Sequence, residues 1–209
     1  MNYLKPKDTY HWSKRARLLP KFVPEDEWLV MEDVHEGPFS IWVGMKGTVF
    51  VDVDGTVADL EHRRKYVQGT PKNYPAFERG IPFDTPIQWV IDAVNRLHDN
   101  GWTVVICTGR RETQAVVTKK WLVDNNVPFH AFYIRPEFEY EADGVTPKLT
   151  KKGNPKPDYR PDYIIKAELL ARARADGYDP DVVFDDRDQV VKMWRDNGIP
   201  VVQTAEGDF

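Results

Sequence analysis

The stretch Thr48-Val49-Phe50-Val51-Asp52-Val53-Asp54-Gly55-Thr56 joins an apolar, β-branched run to two aspartates and a glycine. Its opening residues carry no charge and show no polar alternation, which predicts a strand buried on both faces, as in parallel sheets. Side chains alternate along a strand, so Asp52 and Asp54 point the same way if the strand continues, and Gly55 permits a sharp exit. Two carboxylates this close repel each other unless a cation sits between them or one holds a proton. Asp-Gly alone is an ordinary turn. Directly behind an apolar strand, DxDGT fits a metal-bound nucleophile, Asp52, paired with a general acid, Asp54.

From Thr48 onward strands and helices alternate. A helix is expected with Asp84 or Thr85 as cap, Pro86 in its first turn, an apolar face of Ile87, Val90, Ile91, Val94 and Leu97, and Gly101 as its stop. WTVVIC (102–107) reads as the second strand, Glu112 to about Asn125 as the second helix, and FHAFYI (129–134) as the third strand. Then follow a helix from Tyr163 to about Ala175, the strand DVVF (181–184), a short helix from Gln189 to Asn197 and the strand IPVVQ (199–203). Repeated units of this length predict an α/β fold, a doubly wound, Rossmann-like parallel sheet covered on both faces.

A chain of 209 residues that is 41% hydrophobic can bury one sizeable core with residues to spare. The expected division is a main domain over 47–209 and an N-terminal extension over 1–46. The extension holds three of the seven tryptophans (Trp12, Trp28, Trp42), and its WLVME and FSIWV segments can pair as a hairpin through His35-Glu36-Gly37-Pro38.

A net charge of -4 creates no global field toward nucleic acid or an anionic membrane, so any polyanion contact must be local. Two basic patches exist, Lys5 to Lys21 and Lys148 to Arg160. The single cysteine, Cys107, excludes an internal disulfide, and neither a signal peptide nor a membrane span is legible, so a cytoplasmic location without a membrane partner is expected.

Ligands of such sheets bind beyond the carboxyl ends of the strands. The second strand ends in Thr108-Gly109-Arg110, whose hydroxyl, amide and guanidinium offer donors to phosphate oxygens. The fourth ends in Asp185-Asp186-Arg187-Asp188, adjacent carboxylates that need a cation or a hydrogen-bond network. Hard oxygen ligands used with phosphate suit Mg2+ rather than zinc. Lys166 is either an ordinary exposed lysine or one whose stem runs through apolar neighbours to bring its charge to the site. Trp89, Trp102, Trp121, Trp194 and Cys107 read as packing residues.

These four elements, in this order and at these strand ends, resemble the phosphatases of the haloacid dehalogenase (HAD) superfamily over roughly residues 47–209. Within it, VDVDGTVA, CTGR, DYIIKAELL, FDDRDQVVKMWRDNG and the terminal GDF are similar to the 3'-phosphatase domain of bacteriophage polynucleotide kinase-phosphatases. The resemblance implies that Asp52 is phosphorylated, while Asp54 protonates the leaving alkoxide and then activates water. It further implies that Thr108, Gly109 and Lys166 hold the phosphoryl group, that Arg63, Arg110 and Asp162 serve the substrate, and that Mg2+ is held by Asp52, the backbone carbonyl of Asp54, Asp185 and Asp186. No GxxxxGK[ST] occurs, so no kinase site accompanies it. Residues 1–46 and the lysine-rich stretch 143–157, within an insertion over about 136–160, have no counterpart in the resemblance.

The short lid over about 59–83 and the second insertion are each too small for a closing domain. An open site admits a polymer end. His62, Arg63, Arg64 and Lys65 would bring cations to the phosphate, with Tyr66, Tyr74 and Phe77 available to stack on a base, although a solvated helix face explains the same residues. The expected activity is removal of 3'-phosphates from DNA or RNA ends, as in nucleic acid repair. The alternative is a nucleotidase acting on free nucleoside monophosphates. A phospho-accepting signalling domain fits less well, because it carries its acidic pair on the first strand and its acceptor on a later one. A silent nucleic-acid-binding module would have lost Asp52 or the acidic pair.

Overall fold

The computed structural model describes residues 46–207, so the expected N-terminal hairpin, the first basic patch and the last two residues of GDF lie outside the described residues. The central strand, β1 (Thr48–Val51), is buried at all four positions. After it come a short β2 (Ala58–Asp59) and β3 (Thr85–Pro86), then β4 (Thr103–Arg111), β5 (Ala131–Arg135), β6 (Val182–Asp185) and β7 (Val201–Gln203). Five of these form one sheet in the order β5-β4-β1-β6-β7, with every pairing parallel.

The alternation of side chains along β1 and β4 divides the core in two. Val49, Val51, Val104 and Ile106 pack on one face with Val90, Ile91 and Val94 of α3 (Gln88–Asp99) and with Trp121 and Leu122 of α4 (Ala115–Asp124). Phe50, Val105 and Cys107 pack on the other with Ile165 and Leu169 of α5 (Asp162–Ala175) and with Val190 and Trp194 of α6 (Asp188–Asp196). Phe50 meets Trp194 edge to face, with centroids 6.1 Å apart. Each fully buried side chain of this size stabilises the fold by about 1.5–3 kcal/mol relative to exposure. The doubly wound parallel sheet expected from the sequence is therefore the observed one.

Several local expectations differ. The first long helix starts at Gln88, because Thr85-Pro86 is extended and pairs with Asp59-Ala58, and the Ile87 amide donates to the Val57 carbonyl at 2.8 Å. A residue before proline disfavours the helical region, which explains the later start. Asp84 is consequently not the N-cap of this helix; its amide closes the preceding 3-10 turn on the Ile81 carbonyl at 3.2 Å. Trp89 is 53% exposed and is not a core residue, since the face of α3 turned to the sheet is Val90, Ile91 and Val94. Trp102, Trp121, Trp194 and Cys107 do pack in the core. The third strand begins at Ala131, two residues later than expected.

Two insertions rise at the carboxyl end of the sheet. The first comprises α1 (Glu61–Gln68), α2 (Tyr74–Arg79) and a 3-10 turn at Ile81–Phe83. Asn73 caps α2 by accepting from the Ala76 amide at 3.1 Å, and Pro75 occupies its first turn. The second folds back on itself through bridges joining Phe138 to Pro157, Tyr140 to Pro147 and Leu149 to Pro155. Its basic run is partly neutralised within the insertion, with Lys156 2.6 Å from Glu139 and Arg160 bound to Asp158 and Glu168. Among the described residues no helix is long and apolar enough to cross a membrane.

Candidate active site

A cleft of about 500 Å³ opens beyond the carboxyl ends of β1, β4 and β6. It is lined by Asp52, Asp54, Thr108, Gly109, Arg110, Asp162, Lys166 and Asp186. The two remaining residues expected at the site, Arg63 and Asp185, are 1% and 0% exposed and touch this wall from behind.

At its floor the strand ends converge three carboxylates. Asp52, Asp185 and Asp186 each offer an oxygen, and these oxygens lie within 4.8 Å of one another. Lys166 enters from α5 between the buried Ile165 and Leu169, its stem surrounded by core and its Nζ 2.7 Å from Asp185 Oδ2 and 2.9 Å from Asp52 Oδ1. The buried indole of Trp194 donates to Asp185 Oδ2 at 3.0 Å. Three carboxylates crowd around one ammonium, which leaves a surplus of negative charge.

That imbalance is visible in the titration of the cluster. Burial, reinforced by Asp185 and Asp186, holds the Asp52 carboxyl well above its ordinary pKa even though Lys166 opposes the shift. Burial and then Asp185 push Asp186 up to about 6. Although Lys166 lies within ion-pair range of it, Asp52 Oδ1 is buried without a hydrogen bond among the described residues. A Cβ on Gly55 would stand 2.0 Å from Asp186 Oδ2, and its φ of +79° belongs to the left-handed region, so only glycine lets Asp186 turn inward. An orphaned oxygen, surplus negative charge and oxygen-only donors fit a divalent cation.

Asp54 lines the same cleft but pairs with different partners. Its Oδ1 accepts from Arg63 Nη2 at 2.6 Å and from Arg110 Nη2 and Nε at 2.6 and 3.1 Å. Both guanidiniums are anchored behind it by Asp84, which accepts from Arg63 at 2.6 and 2.8 Å and from Arg110 at 2.6 Å. The exposed His62 places Nε2 3.0 Å from Asp84 Oδ1, and the Trp121 indole donates to the Asp84 carbonyl at 2.9 Å. Burial alone would raise the Asp54 pKa, but Arg110 and Arg63 outweigh it and bring it down to about 2. Asp54 is a carboxylate throughout the neutral range.

The far wall is built on Asp162, which accepts from Arg135 Nη2 and Arg187 Nη1. Gly109 lies close beside it, since a Cβ there would stand 2.7 Å from Asp162 Oδ1 and push that side chain aside. The Arg110 amide donates to Thr108 Oγ1 at 3.2 Å, where β4 shifts register against β5.

The family described as "Polynucleotide kinase PNKP phosphatase domain" matches residues 46–209. The chain belongs to this family of HAD phosphatases. Among solved structures, this HAD phosphatase is similar to a chain of the Pnkp1/Rnl/Hen1 complex, with a TM-score of 0.58 and 25% identity over 78% of this chain and 47% of that one. A chain of the Pnkp1/Rnl/Hen1 RNA repair complex matches with a TM-score of 0.57 and 26% identity over 78% and 44%. The present chain thus spans less than half the length of either. A predicted phosphatase from Clostridium acetobutylicum shares the fold, with a TM-score of 0.50 and 14% identity over 79% and 88%.

Four residues of this HAD phosphatase's site escape a reading of the sequence. Asp84 looks like a helix cap and Trp194 like packing alone, while Arg135 and Arg187 are assigned no role. The only local hint is an aspartate closing the apolar turn Ile81-Pro82-Phe83. Conversely, of the aromatics expected over the site, Tyr74 and Phe77 line the cleft and Tyr66 does not. Of the lid cations, Arg64 lines the cleft, whereas Arg63 and His62 are engaged by Asp84.

A cation of this site should stabilise the enzyme in a pH-dependent way. Asp52 and Asp186 bind protons more tightly when folded than at their ordinary value of 3.8, so their contribution is present in acid and is lost as pH rises, through about 6 for Asp186. Asp54 acts oppositely, losing its contribution only as pH falls from 3.8 toward about 2. At pH 7.5, Mg2+ at a hundredfold its dissociation constant should add about 2.7 kcal/mol, or about 5–10 °C in Tm. At pH 5, where protons compete, the gain should be much smaller. Thermal denaturation with and without Mg2+ checks this, and a gain that persists in Asp186→Asn would contradict it.

Proposed function

We propose that this HAD phosphatase is a magnesium-dependent polynucleotide 3'-phosphatase that works through a phosphoaspartate on Asp52. The observation that carries the reading is Asp52 itself. It stands at the floor of an open cleft with Lys166 at 2.9 Å, and the acidic pair Asp185 and Asp186 is close enough to share a cation with it.

Magnesium held by Asp52, Asp185, Asp186 and the backbone carbonyl of Asp54 would supply positive charge to the phosphoryl oxygens. The Asp52 carboxylate attacks phosphorus, the bond to the 3'-oxygen breaks, and the leaving alkoxide takes a proton from Asp54. Water then attacks the aspartyl phosphate while Asp54 accepts its proton, and the Asp52 oxygen leaves as inorganic phosphate forms. Thr108, the Gly109 amide and Lys166 hold the phosphoryl oxygens as they gather charge. Arg63 and Arg110 hold Asp54 as a carboxylate in the free enzyme, ready for the second step. A substrate phosphate that draws on Arg110 loosens that hold and raises the Asp54 pKa, so that Asp54 takes up a proton from solvent before the first step and passes it to the alkoxide. Asp162 keeps Arg135 and Arg187 in the substrate wall.

Two short insertions leave the cleft open, which suits the end of a polymer, and the similarity to Pnkp1 of an RNA repair complex supports the same substrate class. The cleft volume also accommodates a mononucleotide, which favours a nucleotidase as the second reading. Phosphate release with Mg2+ should be compared for 3'-phosphorylated oligonucleotides, 5'-phosphorylated oligonucleotides and free nucleoside monophosphates. We expect the 3'-phosphorylated oligonucleotide to be preferred by about tenfold or more in kcat/KM, the discrimination that about 1.4 kcal/mol provides. Hydrolysis confined to the monophosphates would sink the polynucleotide reading.

A further inference from the structure

Three residues from separate parts of the chain meet on the cleft wall without any role in the chemistry above. Tyr74 comes from α2 of the first insertion, Tyr159 from the end of the second, and Arg111 from the last position of β4. A register shift between Thr108 and Arg111 re-aims the end of β4 against β5. The Arg111 guanidinium lies 4.8 Å from the Tyr159 ring centroid and 5.9 Å from that of Tyr74. It meets no carboxylate among the described residues, unlike Arg63, Arg110, Arg135 and Arg160 around it. Both tyrosines are exposed, Tyr74 at 41% and Tyr159 at 66%, and all three residues line the same cleft as Asp52.

Exposed tyrosines flanking an uncommitted planar cation are poorly explained by packing. Phe77, which packs against Arg63 at 4.2 Å, is by contrast partly covered. A guanidinium set over the Tyr159 ring is pre-organised, and its planar face, like those of the tyrosines, accepts any nucleobase. The 5.9 Å separation from Tyr74 is at the outer limit of such contacts, so that ring is not committed to Arg111. Lys72 lines the same cleft and supplies a cation for the adjoining backbone.

We propose that Tyr74, Arg111 and Tyr159 form a base-stacking site at the mouth of the phosphate cleft, holding a nucleobase of the single-stranded end whose phosphate lies at Asp52. The inference rests on the polynucleotide reading above. It assigns specificity to a place where the two insertions come together, each too small to be a lid by itself.

The test is a discrimination ratio. KM is measured for a 3'-phosphorylated oligodeoxynucleotide and for the same oligomer with stable abasic units at its last two positions. The wild-type enzyme should favour the base-containing end by about tenfold, the scale of one stacked base. Tyr159→Ala and Arg111→Ala should bring that ratio close to one, and Tyr159→Phe should restore it because stacking does not need the hydroxyl. Because the ratio is internal to each variant, a general loss of activity cannot imitate the result. Ratios that stay near ten in both alanine variants overturn the stacking site and leave the polynucleotide reading intact. A wild-type enzyme that hydrolyses p-nitrophenyl phosphate but neither oligomer overturns the polynucleotide reading, and this inference with it.

Discussion

Asp52→Asn should reduce phosphate release by at least about four orders of magnitude, the scale seen when a nucleophile is removed from a concerted site. The amide is nearly isosteric with the carboxylate but lacks its charge and nucleophilic lone pairs, so the cleft keeps its shape while the covalent step disappears. The fold should not suffer. Asp52 is one of three crowded carboxylates with a single ammonium among them, and neutralising it relieves repulsion from Asp185 and Asp186. Equal or higher urea stability at pH 7.5 without metal, together with lost activity, is the expected pair of results. A variant that keeps more than about one per cent of wild-type turnover would remove Asp52 from the nucleophile's role.

Lys166→Met should have the largest effect on stability. The substitution preserves the apolar stem between Ile165 and Leu169 and deletes the ammonium that lies 2.7 Å from Asp185 and 2.9 Å from Asp52. Removing one partner of a buried ion pair costs about 3–5 kcal/mol, because the remaining carboxylates are left without their compensating charge. Activity should also fall, by about 10²–10³, as a donor to the phosphoryl oxygens is lost. The two effects separate with pH. Acid protonates the stranded carboxylates, so the stability deficit in urea titrations should shrink between pH 7.5 and pH 5 while the loss of activity remains. Asp185→Asn in the same background should recover part of the stability. A deficit below about 1 kcal/mol at pH 7.5 without metal would mean that the ammonium is not what neutralises this cluster.

Much of this architecture is legible in short segments. Thr48–Val51 had to be a two-faced buried strand, and the carboxylates that end it and β6 had to emerge at the same edge of a parallel sheet. Lys166 was undecidable by position, because a lysine in a helix is exposed or buried according to what the helix packs against. The packing of α5 on the sheet decides it. Asp84 was misread for a related reason. Local signals favoured a cap before a helix, while its actual partners, Arg63 and Arg110, are 21 and 26 residues away and arrive only when the first insertion folds over the strand ends. Trp89 shows the limit of periodicity, since an apolar residue at the flank of a helix belongs to the core only if another element covers it.

The sequence by itself determined the layers, the strand ends and the identity of the acidic groups at the floor of the cleft. These follow from alternation, glycine and the chemistry of adjacent carboxylates, which act over a few residues. Tertiary structure alone decided which charges are neutralised. It set Lys166 between Asp52 and Asp185, turned Asp54 onto two arginines, and left Arg111 between two exposed tyrosines. Charge pairing and desolvation depend on distances between segments remote in the chain, and those distances exist only once the sheet and its two insertions have closed.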